Sequence, residues 1–279
     1  EVLRGVANCS AHSGVSAVLK GGTSLSKAYG LIRRFSEDVD VIVIVPGHST
    51  GGDDRCLKSF VTAAQATTGL AGEVDASTAT KGVKRTAVFT YPTSLELGAL
   101  RRGVALELGV RGGTMPTQQR QVVSLVVEHA VAAGLNVDFI EVDPIGLHVL
   151  APVRTLVEKL TIVHHAATNG DADEQARLAR HYYDIWCLLN DDATMEAIAG
   201  SPVDVLAREV VTFTHAAGLE TSIRPADGFA ASPAFSAEDT GPARAAYDSV
   251  VVSQLVWPNA PQPTFDECCA IVRARAAQL

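Results

Sequence analysis

Residues 20–45 constrain the fold of this chain more than any other part of its sequence. An apolar run ends at Lys20, and the pair Gly21 and Gly22 follows it. The next apolar residues recur at helical spacing: Leu25, Ala28 or Tyr29, and Ile32. This order predicts a strand or short helix, a glycine turn and then a helix. Such a turn lets the backbone approach a ligand, and the free N–H groups of a helix N-terminus favour an anion such as a phosphate.

Two acids, Asp38 and Asp40, lie just before the apolar run 41–45, which has the composition of a fully buried strand. Alternate residues of a strand share a face, so the two carboxylates are expected to point the same way. Like charges placed side by side repel each other unless a cation lies between them. Mg²⁺ takes carboxylate and phosphate oxygens, and a pair of such ions stabilises an in-line displacement. The stretch therefore predicts a triphosphate at the glycine turn and its metal at the two acids.

Length and composition narrow the class of protein. The chain has 279 residues, of which 47% are hydrophobic, enough for one large core or two moderate ones. No apolar run reaches the roughly 20 residues that a membrane-spanning helix needs. The five cysteines form no CxxC pair, which predicts neither a zinc site nor a disulfide framework and fits a reducing cytoplasm. A net charge of −8 argues against a protein that simply coats nucleic acid, whereas a small basic cleft suits a nucleotide and a limited length of nucleic acid.

The rest of the first half alternates between strand and helix patterns. The predicted strands are short apolar stretches: 83–91, 103–111, 137–142 and 147–150. One predicted helix begins at Asp53 or Asp54, after a loop over 46–55, and another covers 118–133. The second glycine pair, within 111–114, is followed by no acidic pair and predicts a loop.

The pattern changes from strands to helices after residue 150. Pro152 suits the first turn of a helix, and apolar spacing predicts a second helix over 173–189. A stretch rich in Pro, Gly and Ser over 223–242 predicts a loop or lid. We therefore expect an α+β chain in which a mixed sheet with helices over residues 1–150 is followed by a mainly helical domain over residues 151–279.

Two motifs near the N-terminus carry a resemblance to a known family. Gly-Gly-Thr at 21–23, followed by a helix and then Asp-x-Asp at 38–40, resembles the signature of the DNA polymerase beta type nucleotidyltransferases. The fuller strings over 20–26 and 34–40 resemble more narrowly the AbiEii/AbiGii toxin family, which includes the mycobacterial MenT toxins. The resemblance implies that residues 1–150 form a nucleotidyltransferase core.

The resemblance extends to three residues further along the chain. Members of the superfamily often carry a third acid on a strand antiparallel to that of the acid pair, and Glu107 with its flanking leucines resembles that pattern. Lys159 lies in a segment similar to the family's lysine-bearing helix, and 180–185 is similar to its Arg-Asp-x-x-Asp-Leu motif. His181 replaces the first acid of that motif, so only Asp184 is carried over. The structural alternatives are an exposed glutamate on an edge strand and a surface salt bridge between lysine and aspartate.

The resemblance implies transfer of a nucleoside monophosphate from an NTP to an acceptor hydroxyl, with Mg²⁺ or alternatively Mn²⁺ as cofactor and pyrophosphate as product. The implied metal ligands are three acids: Asp38, Asp40 and Glu107, the last also a candidate base. The implied nucleotide-binding residues surround the glycine turn: Lys20, Gly21, Gly22, Thr23, Ser24 and Lys27. Lys159 would add charge to the triphosphate, and Asp184 would orient that lysine or the attacking hydroxyl. The implied acceptor is RNA, at the 3′ end of tRNA, and the implied partner is a cognate antitoxin in the cytoplasm.

Two other functions stay open from the sequence. One is nucleotidylation of a protein or small-molecule hydroxyl, which the acidic net charge slightly favours. The other is a non-catalytic binding module on the same fold, against which the presence of both metal carboxylates argues. A P-loop over 22–27 is discounted, because the glycine before Lys27 is missing and Ala28 follows it.

Overall fold

The computed structural model describes residues 1–45, 47, 49–77, 79–94, 100, 102–110, 113, 115–136, 138, 143–236 and 241–279. The chain divides into two compact units, and each combines two stretches of sequence. Glu1–Gly30 and Ser36–Leu150 form the first unit, whereas Leu31–Phe35 and Ala151–Leu279 form the second. The first unit holds a mixed sheet with helices and the second is mainly helical, so the α+β class that the sequence predicts is confirmed.

The first unit is built on a seven-stranded mixed sheet. Its strands are β1 (Ser16–Lys20), β2 (Asp38–Ile44), β3 (Gly72–Val74), β4 (Lys84–Phe89), β5 (Val104–Gly109), β6 (Thr117–Val122) and β7 (Ile145–Leu150). Its helices are α1 (Val2–Ser13), α2 (Gly21–Lys27), α3 (Thr50–Thr68) and α4 (Leu125–Ala132). The strand order across the sheet is β3-β4-β5-β2-β1-β7-β6, which makes β2 the central strand.

The side chains of β2 alternate between the two faces of the sheet. Three valines lie in the main core: Val39, Val41 and Val43. This core also contains Leu57 and Phe60 of α3 and the apolar side of α1, so both helices cover the valine face. The opposite face of β2 carries Asp38 and Asp40, both half-buried. The alternation therefore separates the hydrophobic core from the two acids.

Several predicted strands of the first unit are confirmed. β2, β4, β5 and β7 coincide with the apolar stretches that the sequence singles out, although β7 begins two residues before the predicted 147–150. The predicted strand 137–142 and the predicted loop 111–114 fall largely outside the described residues.

The helix after the glycine turn is shorter than its apolar spacing predicts. α2 ends at Lys27, and Gly30 adopts a left-handed φ of 66° that an α-helix cannot continue. Ile32 is buried, but it lies beyond the helix in a segment that belongs to the second unit. Its helical spacing from Leu25 was therefore misleading.

Two other predicted boundaries are wrong for local reasons. α3 begins at Thr50 rather than at Asp53 or Asp54, because the side chain of Ser49 accepts a hydrogen bond from the N–H of Gly52 and caps the helix. Residues 117–122 were predicted to be mostly helix, but they form β6, whose backbone pairs with β7 along its whole length. Pairing with a neighbouring strand outweighed the weak helical pattern of these polar residues.

The second unit is mainly helical. Its helices are α5 (Pro152–Asn169), α6 (Ala172–Arg177), α7 (Arg180–Leu189), α8 (Asp192–Gly200), α9 (Val203–Ala216), α10 (Gly241–Ala246) and α11 (Phe265–Ala274). A π-helical stretch, Tyr247–Leu255, follows α10. The predicted start of α5 at Pro152 is confirmed, whereas the single helix predicted over 173–189 is broken into α6 and α7.

The predicted loop or lid over 223–242 contains two turns of 3₁₀ helix, Phe229–Ala231 and Pro233–Phe235. Its residues 237–240 lie outside the described part of the chain. Within the described residues, none of the helices combines the length and the apolar composition needed to cross a membrane.

A short segment of the N-terminal sequence is built into this helical unit. Arg34 forms an isolated antiparallel bridge with Val256, and the N–H of Phe35 donates to the carbonyl of Leu255. The N–H of Trp257 in turn donates to the carbonyl of Arg33. Leu31–Phe35 is thus held by backbone hydrogen bonds to the end of the π-helical stretch, an association that the local sequence pattern does not reveal.

Candidate active site

One row of paired residues brings predicted site residues together on the sheet. Asp40 of β2 pairs with Lys20 of the antiparallel strand β1 and with Glu107 of the parallel strand β5. Glu107 pairs in turn with Thr86 of β4. Side chains of directly paired residues point to the same face of a sheet, so Lys20, Asp40 and Glu107 share one face.

The direction of the strand that carries Glu107 differs from the expectation. β5 runs parallel to β2, whereas the resemblance implied an antiparallel strand. The reason is topological: β4 lies between β3 and β5, and β5 returns antiparallel to β4, which places β5 beside β2 in the same direction. The register still sets Glu107 opposite Asp40, so the third acid is placed next to the pair despite the wrong direction.

The glycine turn lies directly against Asp40. Gly21 has a left-handed φ of 72°, and a Cβ added to it would collide with the Oδ2 atom of Asp40. Only glycine satisfies both the backbone conformation and the close approach. The first residue of α2 and the carboxylate of Asp40 are therefore neighbours, as the predicted combination of a phosphate cradle and a metal ligand requires.

The hydroxyl groups that follow the glycines hold the turn in place. Thr23 Oγ1 donates to the backbone carbonyl of Asp38 and lies 3.2 Å from Ser36 Oγ. Ser24 Oγ donates to the carbonyl of Gly21 at 2.8 Å, and both Thr23 and Ser24 are buried. The Thr23 bond ties α2 to the beginning of β2, and the Ser24 bond lies within α2. The backbone N–H groups of this turn are candidate donors for a phosphate.

Lys84 and Lys27 of this unit each interact with an acid. Lys84 Nζ lies 2.9 Å from Glu107 Oε2, with side chains 43% and 31% exposed, so water screens the pair and it contributes little to stability. Lys27, at the end of α2, is half-buried. Burial lowers the pKa of Lys27, and the charge of Glu128 in α4 partly offsets this effect.

The acids of β2 fit a divalent cation in their chemistry. Mg²⁺ is usually held by one or two carboxylates together with the phosphates of a nucleotide, rather than by a cage of protein ligands alone. Asp38 and Asp40 supply two hard oxygen ligands on one face, and the absence of a side chain on Gly21 lets the carboxylate of Asp40 lie directly against the backbone of the glycine turn. Within the described residues, no three or more His, Cys, Asp or Glu side chains are arranged to hold a metal by themselves, and this includes the set Asp38, Asp40 and Glu107.

Lys159 and Asp184 meet inside the second unit. Lys159 Nζ of α5 lies 2.8 Å from Asp184 Oδ2 of α7, and Asp184 is completely buried. Only 4% of Lys159 is exposed, so this is not the surface salt bridge of the structural alternative. The ammonium also lies 3.0 Å from Nδ1 of His181, which takes the place of the family's usual acid.

Arg34 is the member of this network that sequence reasoning missed. Its Nε and Nη2 atoms each donate to one oxygen of Asp184 at 2.7 Å, and its Nη1 atom donates to the carbonyl of Phe35 at 2.7 Å. Arg34 is 2% exposed, and 150 residues separate it from Asp184. The available signal was its place in the motif string just before Asp38, but local spacing cannot indicate its partner.

Burial and the shared charges determine the protonation of this network. Burial raises the pKa of Asp184, but the charges of Arg34 and Lys159 overcome this effect and hold it well below its usual value. Burial lowers the pKa of Lys159; Asp184 counteracts this shift and Arg34 adds to it. Burial, with the adjacent charge of Lys159, lowers the pKa of His181 to about 3, so its imidazole is neutral near pH 7 and accepts a hydrogen bond from Lys159.

A separate cavity does not belong to this site. About 500 Å³ of space lies between α1 and α3, lined by residues that include Cys9, His12 and Ser59. Both helices cover the valine face of β2, so the cavity lies on the opposite side of the sheet from the acids. Its lining offers neither paired acids nor a glycine turn.

A mixed sheet whose glycine turn packs against an Asp-x-Asp strand defines a nucleotidyltransferase. The sequence matches the family model described as "Nucleotidyl transferase AbiEii toxin, Type IV TA system" over residues 6–267, and the chain therefore belongs to the AbiEii nucleotidyltransferase toxin family. The resemblance seen in the sequence motifs is thereby confirmed.

One solved structure shows the same fold, and a second is similar at a lower score. MenT4, a nucleotidyltransferase toxin from Mycobacterium tuberculosis H37Rv, is similar with a TM-score of 0.55 and 21% identity, over 94% of this chain and 75% of that one. JHP933 from Helicobacter pylori is similar with a TM-score of 0.44 and 14% identity, over 99% of this chain and 88% of that one. No curated protein matches the sequence.

Proposed function

We propose that this protein is a Mg²⁺-dependent toxin that transfers a nucleoside monophosphate from an NTP to the 3′ end of an RNA, in particular tRNA, and so blocks translation. The observation that carries the proposal is the approach of Gly21 to Asp40 in a member of the AbiEii family. It combines, at one point of the sheet, a backbone that can receive phosphates with a carboxylate that can hold their metal.

The residues of the sheet unit have distinct roles in this proposal. Asp38 and Asp40 hold the cation, and Glu107 either completes the metal site or accepts the proton of the attacking hydroxyl. The bound cation would supply Lewis-acid stabilisation of the phosphate oxygens. The nucleotide-binding residues surround the first turn of α2: Lys20, Gly21, Gly22, Thr23, Ser24 and Lys27.

The helical unit contributes positive charge in this proposal. Lys159 serves the phosphates of the NTP, and Asp184 orients its ammonium through the 2.8 Å contact. A compact ammonium suits a phosphate oxygen because its N–H groups can turn toward the ligand. Mn²⁺ is an alternative to Mg²⁺, since both accept carboxylate and phosphate oxygens.

Family membership supports the choice of partners. The AbiEii family belongs to type IV toxin–antitoxin systems, so a cognate antitoxin is the expected regulator. Transfer to tRNA would take place in the cytoplasm, where both substrates are present. A second candidate acceptor is a protein or small-molecule hydroxyl, which the net charge of −8 favours because that charge weakens long-range attraction of RNA.

A labelling experiment tests the proposal. The protein is incubated with each labelled NTP and Mg²⁺, together with total RNA, an RNA-free protein extract or small hydroxyl compounds. We expect label in RNA, a shift of tRNA in gels and added nucleotides when the RNA 3′ ends are sequenced. Label in protein or small molecules alone would replace the RNA acceptor, and no transfer from any NTP to any acceptor would leave only a binding module.

A further inference from the structure

Two cations share one carboxylate inside the helical unit. Arg34 contacts both oxygens of Asp184 at 2.7 Å, and Lys159 contacts the Oδ2 atom at 2.8 Å. The exposed fractions of the three side chains are 2%, 0% and 5%. Water therefore screens none of these charges effectively, and their balance is an electrostatic property of the network.

The charges of the network do not cancel. Arg34 and Lys159 are two cations, Asp184 is one anion, and His181 is neutral near pH 7. A further cationic residue, Arg180 at the start of α7, adds to the positive field at Lys159. A lysine paired with Asp184 alone would be neutralised, but the arginine already matches both carboxylate oxygens with the geometry that such a fork prefers. One positive charge is thus left over.

Lys159 has one more N–H donor than its two described partners use. An ammonium group has three N–H donors, and within the described residues two of those on Lys159 are assigned, to Asp184 and to His181. The third is available for a ligand. An anion that accepts this hydrogen bond would compensate the buried charge, whose isolation from water is otherwise costly.

We propose that Arg34 is a positioning residue: by neutralising Asp184 it leaves the ammonium of Lys159 charged toward a phosphate group of the substrate. This inference rests on the proposed function, in which Lys159 serves the triphosphate. It adds that the lysine would be a weak phosphate ligand without the arginine, because Asp184 would then cancel its charge.

The test compares triphosphate binding by variants of the whole chain that differ in the net charge of this network. Inorganic triphosphate is titrated into each variant by calorimetry, without acceptor and without a transferable nucleotide. Arg34→Gln leaves one cation and one anion, and we expect its affinity to fall by about tenfold or more, as for the loss of a charge-assisted contact. Arg34→Gln/Asp184→Asn restores a single excess charge on Lys159 and is expected to bind at least about threefold more tightly than Arg34→Gln, although it lacks the contact by which Asp184 orients the ammonium.

Two further variants make the result decisive. Lys159→Gln should lose as much affinity as Arg34→Gln, whereas Arg34→Lys keeps the charge count and should bind more tightly than Arg34→Gln, although one ammonium cannot contact both carboxylate oxygens as the guanidinium does. If folded Arg34→Gln binds like wild type, or if the double variant binds as weakly as Arg34→Gln, the proposal is overturned. Unchanged binding in Lys159→Gln overturns it as well, and transfer to RNA by that same variant would show that the proposed function survives.

Thermal unfolding of each variant separates charge from folding. Arg34→Gln leaves Asp184 with one partner fewer and is the variant at most risk of not folding. In that case the double variant, which removes an opposite-charge pair together, carries the test beside Lys159→Gln. Binding by the double variant that is at least about threefold tighter than binding by Lys159→Gln supports the proposal, and equal losses in both overturn it.

Discussion

Gly21 and Asp40 approach each other so closely that a single methyl group on Gly21 would occupy the position of a carboxylate oxygen. The two residues belong to different elements, α2 and β2, and 19 positions separate them in the sequence. The contact explains why a glycine with a left-handed φ of 72° stands at the start of the helix. It also offers a direct way to perturb the candidate site without removing any functional group.

Gly21→Ala should therefore be more harmful than an alanine at another left-handed glycine. Gly30 provides the matched control, because its φ is 66° and a Cβ there would meet nothing within 4 Å. We expect Gly30→Ala to cost about 1 kcal/mol of backbone strain. Gly21→Ala should cost more and should also lose transfer, because the carboxylate of Asp40 must turn away from the new Cβ. Urea unfolding of both variants measures the difference. When Asp40 is also replaced by Ala, the two glycine substitutions should cost the same. Equal costs in the protein that keeps Asp40 would contradict the close contact between Gly21 and Asp40.

Asp38→Ala and Asp40→Ala should each abolish transfer while leaving the protein folded. Neither acid belongs to the main core that contains the valines of β2. Removal of one acid also relieves its electrostatic repulsion with the other. The hydrogen bond from Thr23 goes to the backbone carbonyl of Asp38, so it survives the substitution. Transfer of labelled nucleotide and the melting temperature are measured together. A variant that keeps wild-type activity would refute the metal site.

Glu107 can be separated from its ion pair with Lys84. Glu107→Gln should lower the rate of transfer by about a hundredfold if the acid holds the metal or accepts a proton. Lys84→Gln breaks the same ion pair but leaves the carboxylate, so its rate should stay within about threefold of wild type because partly exposed pairs contribute little. Equal losses in the two variants would show that the ion pair itself matters, and Glu107 would then lose its proposed role.

Lys159→Ala should reduce transfer severely, by roughly a hundredfold for the loss of one positioned charge of about 3 kcal/mol. Lys159→Arg should restore only part of the rate, because a planar fork does not replace a compact ammonium in a buried network. Asp184→Asn should be impaired as well, and the double variant should lose less than the product of the single losses. More than about half of the wild-type rate in Lys159→Ala would exclude the lysine from the chemistry.

The lowered pKa of His181 predicts that the free energy of unfolding decreases in acid. Burial and the charge of Lys159 lower its pKa to about 3, so between pH 6.5 and 3 the unfolded chain binds a proton that the folded chain does not. The free energy of unfolding should therefore decrease as the pH falls below 6.5, by about 1.4 kcal/mol from this residue at pH 5.5. His181→Gln should remove this part of the pH dependence in urea titrations at pH 7.5 and 5.5. The same substitution at the exposed His148 is the matched control.

The central part of the fold and the acid pair could be predicted because they depend on neighbouring residues. The apolar run of β2 has the composition of a buried strand. Asp38 and Asp40 occupy alternate positions at its beginning, as residues on one face of a strand do. The glycine turn has a conformational signature of its own, since few other residues adopt a left-handed φ. These local signals were enough to place the glycine turn next to the acid-bearing strand, and to indicate the family.

Other features depended on pairing over long distances. The polar stretch that forms β6 has little strand preference and is held by β7, and the direction of β5 follows from the order of strands in the sheet. The end of α2 also escaped prediction, because Ile32 keeps helical spacing while it packs in the other unit. Periodicity reports that a residue is buried, but it does not report which surface buries it.

The sequence by itself determined the local backbone at Gly21, the shared face of Asp38 and Asp40, and the helix that carries Lys159, because each follows from conformational preference and spacing within a few residues. Only the tertiary structure decided that Glu107 lies opposite Asp40 and that Arg34 occupies both oxygens of Asp184. A buried carboxylate must find its cations wherever the folded chain brings them, and here one of them comes from 150 residues away.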